Sequence, residues 1–183
     1  MSIPTSPIIK NCVAVIDLKT RLDLQKIYIV APSTKYTPQR MNAVIMKVYS
    51  PNATAVIFST GKFVCTGASS ESECKSAAKE VTERIQQCGY YDAQIREFAV
   101  QNLVATTDVR FHIKLGPLSD DLGAKQCSFA PELFPGLVFR NADPKVSIIV
   151  FSSGKINLTG AKSKYDIDFA FNNFYSILCN YKH

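Results

Sequence analysis

Two kinds of apolar pattern alternate along the chain. Ala53 to Phe58 is a run of β-branched and aromatic residues that predicts a strand. Ser59-Thr60-Gly61 supplies a tight turn and Lys62 to Thr66 a second strand, so the segment reads as a hairpin. Gly67 then breaks the chain. Ser70 and Glu73 have capping-box spacing, and Ala77, Val81, Ile85 and Cys88 give the following helix one apolar stripe, which Gly89 ends. Met41 to Tyr49 predicts another strand, ended by Pro51. The same order returns later. Val146 to Phe151, Ser152-Ser153-Gly154 and Lys155 to Thr159 predict a hairpin. A last helix runs from about Ser163 to Cys179, with Ile167, Ala170, Phe171, Phe174 and Leu178 as its buried stripe.

The recurrence is literal. Phe58 to Ala68 aligns with Phe151 to Ala161 at an offset of 93, and seven of the eleven pairs are identical. The same offset pairs Pro38 with Pro131, Met41 with Phe134, Lys47 with Arg140 and Pro51 with Pro144; at an offset of 91, Asn11 meets Asn102, Val13 meets Val104 and Asp17 meets Asp108. A colinear series of this length is a duplication. One long repeat present twice, unlike a short solenoid repeat, predicts two similar halves, 1–91 and 92–183, about a pseudo-two-fold axis. In each half, strands followed by one long helix give an α+β class with an antiparallel sheet covered on one face. The other face has no second layer, which makes it a candidate binding surface.

Composition narrows the partner only a little. The 183 residues carry a net charge of +6, of which +5 falls in residues 1–91 and +1 in 92–183. A basic domain invites a polyanion. With 46% apolar residues the chain can bury a core, so disorder is excluded as a description of the whole. The start of the chain has no charged segment leading into an apolar one, and no apolar run approaches the ~20 residues of a membrane span, so a soluble intracellular protein is expected. The six cysteines lack zinc-knuckle or redox-pair spacing and only His112 and His183 could assist them, so reduced thiols and no metal are expected. Gly61-Lys62 and Gly154-Lys155 lack the other residues of a phosphate loop. No buried histidine base or paired carboxylates can be named, so binding is favoured over catalysis and no cofactor is expected.

Several segments resemble the C-terminal core of the TATA-box-binding protein family. They are Asn11-Cys12-Val13, Leu22-Asp23-Leu24, Tyr36-x-Pro38-x-Arg40, Ala43 to Met46, Phe58-Ser59-x-Gly61-Lys62 with Thr66-Gly67-Ala68, Gln101 to Val104, Pro131 to Leu137, and Phe151-x-Ser153-Gly154-Lys155 with Leu158 to Lys162. The likeness covers nearly the whole chain, and Pro131 to Leu137 is its most specific part. It implies a saddle: a ten-stranded curved antiparallel sheet whose concave face meets the DNA minor groove, with four helices on the convex side. It also implies a nuclear general transcription factor that binds A·T-rich promoter elements, kinks the duplex and nucleates the preinitiation complex.

The resemblance assigns roles by position. Asn11 and Asn102 match the pair that hydrogen-bonds base acceptors near the centre of the site. Val13, Val56, Val64, Val104 and Ile149 suit an apolar face pressed on A·T edges, where no guanine amine intrudes, and Thr66 and Thr159 are small polar residues beside them. Met41 with Phe58, and Phe134 with Phe151, match the wedges that unstack base steps, with Pro135 next to Phe134; the family is itself the stock example of this mode. Lys47, Lys62, Arg140, Lys155 and Lys162 match residues that reach phosphates. Glu132 and Leu133 fall where the family meets transcription factor IIB. Factor IIA, negative cofactors, polymerase-specific factors and a weak homodimer in the absence of DNA are the other implied partners.

The departures from the family pattern concentrate in the first half. Met41 replaces a phenylalanine, Asn42 a small apolar residue and Ser69 a lysine. The first long helix carries Glu80, Glu83 and Gln87 where basic residues are usual. In the second half Asn157 replaces a valine and Ala130 an acid. An adaptor that keeps the saddle but has lost TATA preference, acting through protein contacts, therefore stays open. A nucleic-acid enzyme on a related domain would need an acid/base or metal cluster that the sequence does not offer.

Overall fold

The structure, a computed structural model, describes residues 5–183. The first half of the chain forms β1 (Ile8–Asp17), α1 (Leu24–Val30), β2 (Thr34–Thr37), β3 (Met41–Tyr49), β4 (Asn52–Ile57), β5 (Lys62–Ala68) and α2 (Glu71–Gln87). The second forms β6 (Glu97–Asp108), α3 (Leu115–Leu122), β7 (Cys127–Ser128), β8 (Leu137–Asn141), β9 (Val146–Val150), β10 (Lys155–Ala161) and α4 (Lys164–Leu178). A 3-10 turn over Cys179–Tyr181 follows. The expected class holds: ten antiparallel strands and four helices. Two compact units divide the chain, Lys10–Gln101 and Asn102–His183 with the start of the chain through Ile9.

In the first unit the strand order is β2-β3-β4-β5-β1 and in the second β6-β10-β9-β8-β7, so the same ladder is built twice. Alternation sets which face is buried. Ala14 and Ile16 of β1, Met46 and Val48 of β3, Ala55 and Ile57 of β4, and Phe63 and Cys65 of β5 are almost wholly buried, together with Cys74, Ala77, Ala78, Val81 and Ile85 of α2. The second unit buries Ile148, Val150, Ile156 and Leu158 with Ile167, Ala170, Phe171, Phe174 and Leu178 of α4. Its core is bulkier. Phe139 stacks on Phe174 at 4.4 Å between ring centres, where Met46 and Val81 occupy the repeat-equivalent positions.

The caps match the sequence pattern. Ser70 Oγ accepts the Glu73 N–H at 3.0 Å and Ser163 Oγ accepts the Asp166 N–H at 3.1 Å, each satisfying one of the unpaired first-turn donors. The Glu73 carboxylate accepts the Ser69 N–H at 2.8 Å, one residue earlier than in a strict capping box. Gly67 does not end its strand as expected. It lies inside β5 at φ +98°, where the pairing with β1 shifts register between Cys12 and Ala14. Its counterpart Gly160 lies inside β10 at φ +95°, at the matching shift against β6. These are β-bulges, which keep a strand going while re-aiming a side chain. The Ser50-Pro51 and Asp143-Pro144 peptides are both cis, a further echo of the repeat.

His183 donates its backbone N–H to the His112 carbonyl at 2.9 Å. All six cysteines are free thiols. Five are buried, and burial pushes the Cys12 thiol up to about 12.

Candidate nucleic-acid interface

The face of each sheet away from its long helix carries the residues left over by the alternation. In the first unit Asn11, Val13, Val15, Ile45, Thr54, Val56, Val64 and Thr66 are all half-buried, most of them between fully buried neighbours. In the second, Asn102, Val104, Thr106, Val138, Ser147, Ile149, Asn157 and Thr159 repeat the arrangement. Register joins them into cross-strand rows. Ile45, Val56, Val64 and Val15 are successive partners in the first unit, and Lys47, Thr54 and Thr66 form a second row. In the second unit the rows are Val138, Ile149, Asn157, Thr106 and Arg140, Ser147, Thr159, Val104. No helix covers either set, so the first unit presents an apolar strip edged by small hydroxyls and one cation, and the second the same arrangement with Asn157 and Thr106 interrupting its strip.

Asn11 and Asn102 stand where the bulges re-aim the chain. Asn11 Oδ1 accepts the Gly67 N–H at 2.8 Å and the Thr66 hydroxyl at 3.4 Å. Asn102 Oδ1 accepts the Gly160 N–H at 2.7 Å and the Thr159 hydroxyl at 3.4 Å. The carbonyl is committed each time, which fixes the amide orientation. Among the described residues neither Nδ2 donates a hydrogen bond, so each asparagine is left as a donor. Donors are what the minor-groove edge of A·T pairs, which offers only acceptors, can receive.

The wedge candidates differ between the halves. Phe134 and Phe151 pack edge-to-face with ring centres 5.9 Å apart, and Phe134 remains 43% exposed. Gly136 makes room for them: a Cβ there would lie 2.7 Å from Phe134 and 3.2 Å from Phe151. In the first half Met41 is 40% exposed and Phe58 half-buried, and Phe58 has no ring partner among the described residues. A hollow of about 290 Å³ opens beside Met41, lined by Lys35, Thr37, Arg40, Met41, Ala43 and Ile45.

Lys47, Lys62, Arg140, Lys155 and Lys162 are all exposed. Lys62 Nζ lies 4.0 Å from Asp17, whose carboxylate also accepts the Lys19 N–H at 2.8 Å and pairs with Lys19 Nζ at 3.2 Å. The backbone hydrogen bond from Lys19, followed by the Lys19 and Lys62 charges, holds Asp17 below the usual carboxylate range. Pro135, Glu132 and Leu133 are exposed, and Leu133 is 88% so. The Ala130 carbonyl folds this loop by accepting the Leu133 and Phe134 N–H groups at 2.9 and 3.0 Å. On α2 the acids pair with bases of the same helix: Glu71 with Lys75 at 2.8 Å, Glu83 with Lys79 at 4.0 Å, and Glu80 with Arg84.

The half-buried residues matched to groove contacts lie on the uncovered faces, the five matched cations are exposed, and Glu132, Leu133, Phe134 and Pro135 lie in the Ala130–Gly136 loop, whereas Glu80, Glu83 and Gln87 lie on α2. Sequence reasoning left out Val15, Ile45, Thr54, Thr106, Val138 and Ser147 of the same rows. Strict period-two counting outward from Val13, Lys47, Val56, Val104, Arg140 and Ile149 would have found them.

The family model described as transcription factor TFIID (or TATA-binding protein, TBP) matches residues 6–88 and again 97–181. The chain belongs to the TATA-binding protein family. It is 45% identical over 176 residues to TATA-box-binding protein 1 of Triticum aestivum, covering 96% of this chain and 75% of that one. It is 44% identical to the TATA-box-binding protein of Caenorhabditis elegans, again over 96% of this chain but only 51% of the nematode protein. The solved Methanococcus jannaschii TBP superposes with a TM-score of 0.81 at 28% identity, covering 96% of this chain and 99% of that one. Within this family, the doubled model match follows the repeat read from Phe58–Ala68 and Phe151–Ala161.

Proposed function

We propose that the chain is a general transcription factor that lays its uncovered sheet faces in the minor groove of TATA-like, A·T-rich duplex DNA. The repeats 1–91 and 92–183 each take one half of the site. The observation that carries this reading is the pair of donors made by Asn11 and Asn102 on uncovered faces that also carry apolar rows. An apolar strip and hydrogen-bond donors together complement a groove floor that carries acceptors and no guanine amine. Phe134 with Phe151, and Met41 with Phe58, act as wedges that kink the duplex, with Pro135 beside them. Lys47, Lys62, Arg140, Lys155 and Lys162 meet phosphates and make binding salt-dependent.

The factor acts in the nucleus and nucleates preinitiation-complex assembly. The Glu132–Leu133 loop receives transcription factor IIB, and factor IIA, negative cofactors and polymerase-specific factors are further partners. Without DNA the exposed apolar faces pair two copies weakly. Sedimentation with and without a TATA duplex checks this, and a dimer that persists on DNA contradicts the shared surface. The adaptor reading is favoured by one observation, that Asn157 puts an amide in the apolar row while Met41 lacks the flat rigid ring of a phenylalanine wedge. A gel shift comparing TATA with G·C-rich duplex at several salt concentrations separates the two: a TATA preference that survives rising salt supports the promoter factor, and equal affinities support the adaptor.

A further inference from the structure

The two halves present the same rows with different chemistry at one place. In the first half the row Ile45, Val56, Val64, Val15 is apolar throughout. In the second the equivalent row is Val138, Ile149, Asn157, Thr106. Asn157 of β10 faces Ile149 of β9 on one side and Thr106 of β6 on the other. Directly opposed residues on one sheet face lie with their Cβ atoms ~5 Å apart, so the amide and the hydroxyl form one polar spot in the apolar strip. Both are half-buried. Among the described residues neither side chain makes a hydrogen bond. Asn157 therefore differs from Asn11 and Asn102, whose carbonyl oxygens are held by Gly67 and Gly160. Its Oδ1 is an uncommitted acceptor and its Nδ2 an uncommitted donor.

An apolar row rejects G·C pairs because the exocyclic amine of guanine, the one donor on the minor-groove edge, would be desolvated against methyl groups without a partner. An amide removes that penalty. Its oxygen accepts from the amine, and its nitrogen can donate to the acceptors that A·T and G·C share. We propose that Asn157, with Thr106 beside it, is a specificity-determining site that lets the second half accept a G·C pair at one position where the first half, with Val64 and Val15, demands A·T. The promoter element read by this chain is then unequal between its halves. This rests on the minor-groove reading above and deepens it by naming a base pair.

The test uses the full chain and a TATA-like duplex in which each A·T pair in turn is replaced by G·C or by inosine·C. Inosine lacks the amine, so the ratio of the two affinities isolates its effect. At one position in one half the wild-type chain should bind G·C within about threefold of inosine·C, and at the others at least tenfold more weakly. Asn157→Val, a favourable change on a strand, should turn the tolerant position into a discriminating one, raising the ratio of inosine·C to G·C affinity there by tenfold or more. Val64→Asn should create a second tolerant position in the other half. If wild type and Asn157→Val discriminate against G·C equally at every position while both prefer A·T, the assignment to Asn157 is overturned and the minor-groove reading stands. If inosine·C and G·C bind alike throughout in every variant, both fall.

Discussion

Asn11 and Asn102 do more than fill polar slots in a sheet. Each closes a β-bulge through its carbonyl and keeps its amide nitrogen as a donor, so in the proposed role structure and recognition use opposite ends of one side chain. The two uses can be separated. In Asn102→Asp the carboxylate still accepts the Gly160 N–H, but an anion replaces the donor that should face base acceptors. TATA affinity should fall at least tenfold, about 1.4 kcal/mol, with little change in melting temperature. Fluorescence anisotropy with a parallel thermal melt reads both. Undiminished affinity would remove the asparagines from the interface. In the sequence each asparagine is an ordinary polar residue on a strand. Its role became legible only through the repeat and the resemblance, because hydrogen bonding to a glycine more than fifty residues away leaves no local pattern.

At the level of elements, the hairpins, long helices and caps followed from alternation, helical stripes and Ser70 and Ser163, since these signals are local. The bulges did not. Gly67 and Gly160 read as breakers, because glycine marks a strand's end and a bulge alike until its partner strand is known. The proposed wedges differ by element. The loop before β8 places Phe134 against Phe151 with Gly136 beneath them, whereas the start of β3 offers a flexible Met41 beside an open hollow. The kink made by the second half should therefore exceed that made by the first, and Met41→Phe should narrow the difference. Fluorescence resonance energy transfer across each half of a TATA duplex measures the two bends, and equal kinks in the wild type would sink this account. The turn after β1 carries a pH signature. Asp17 is held below its unfolded value by the Lys19 N–H and then by the Lys19 and Lys62 charges, so its contribution to stability is present above the unfolded pKa of about 3.9 and is lost as pH falls through the lower folded value. Asp17→Asn should lower the melting temperature at pH 7 and change it little near pH 2. An equal effect at both would show that the charge is unimportant.

For the whole molecule, duplication was legible directly and determined the class, because two copies of one ladder must satisfy the same packing rules. The bulkier core of the second half was not, since Phe139 and Phe174 stack only across elements distant in sequence. The excess of charge in residues 1–91 does not arise in α2, whose three bases pair with acids of the same helix. Charge at the rims should then set affinity and its salt dependence, while apolar rows, donors and wedges set preference. The central claim is that sequence is read from the minor groove. Replacing every A·T pair of a TATA duplex with inosine·C keeps the minor-groove edge free of amines but gives the major groove the pattern of G·C. Affinity within about threefold of the TATA duplex is predicted; a loss of tenfold or more, down to the level of G·C-rich DNA, would contradict it.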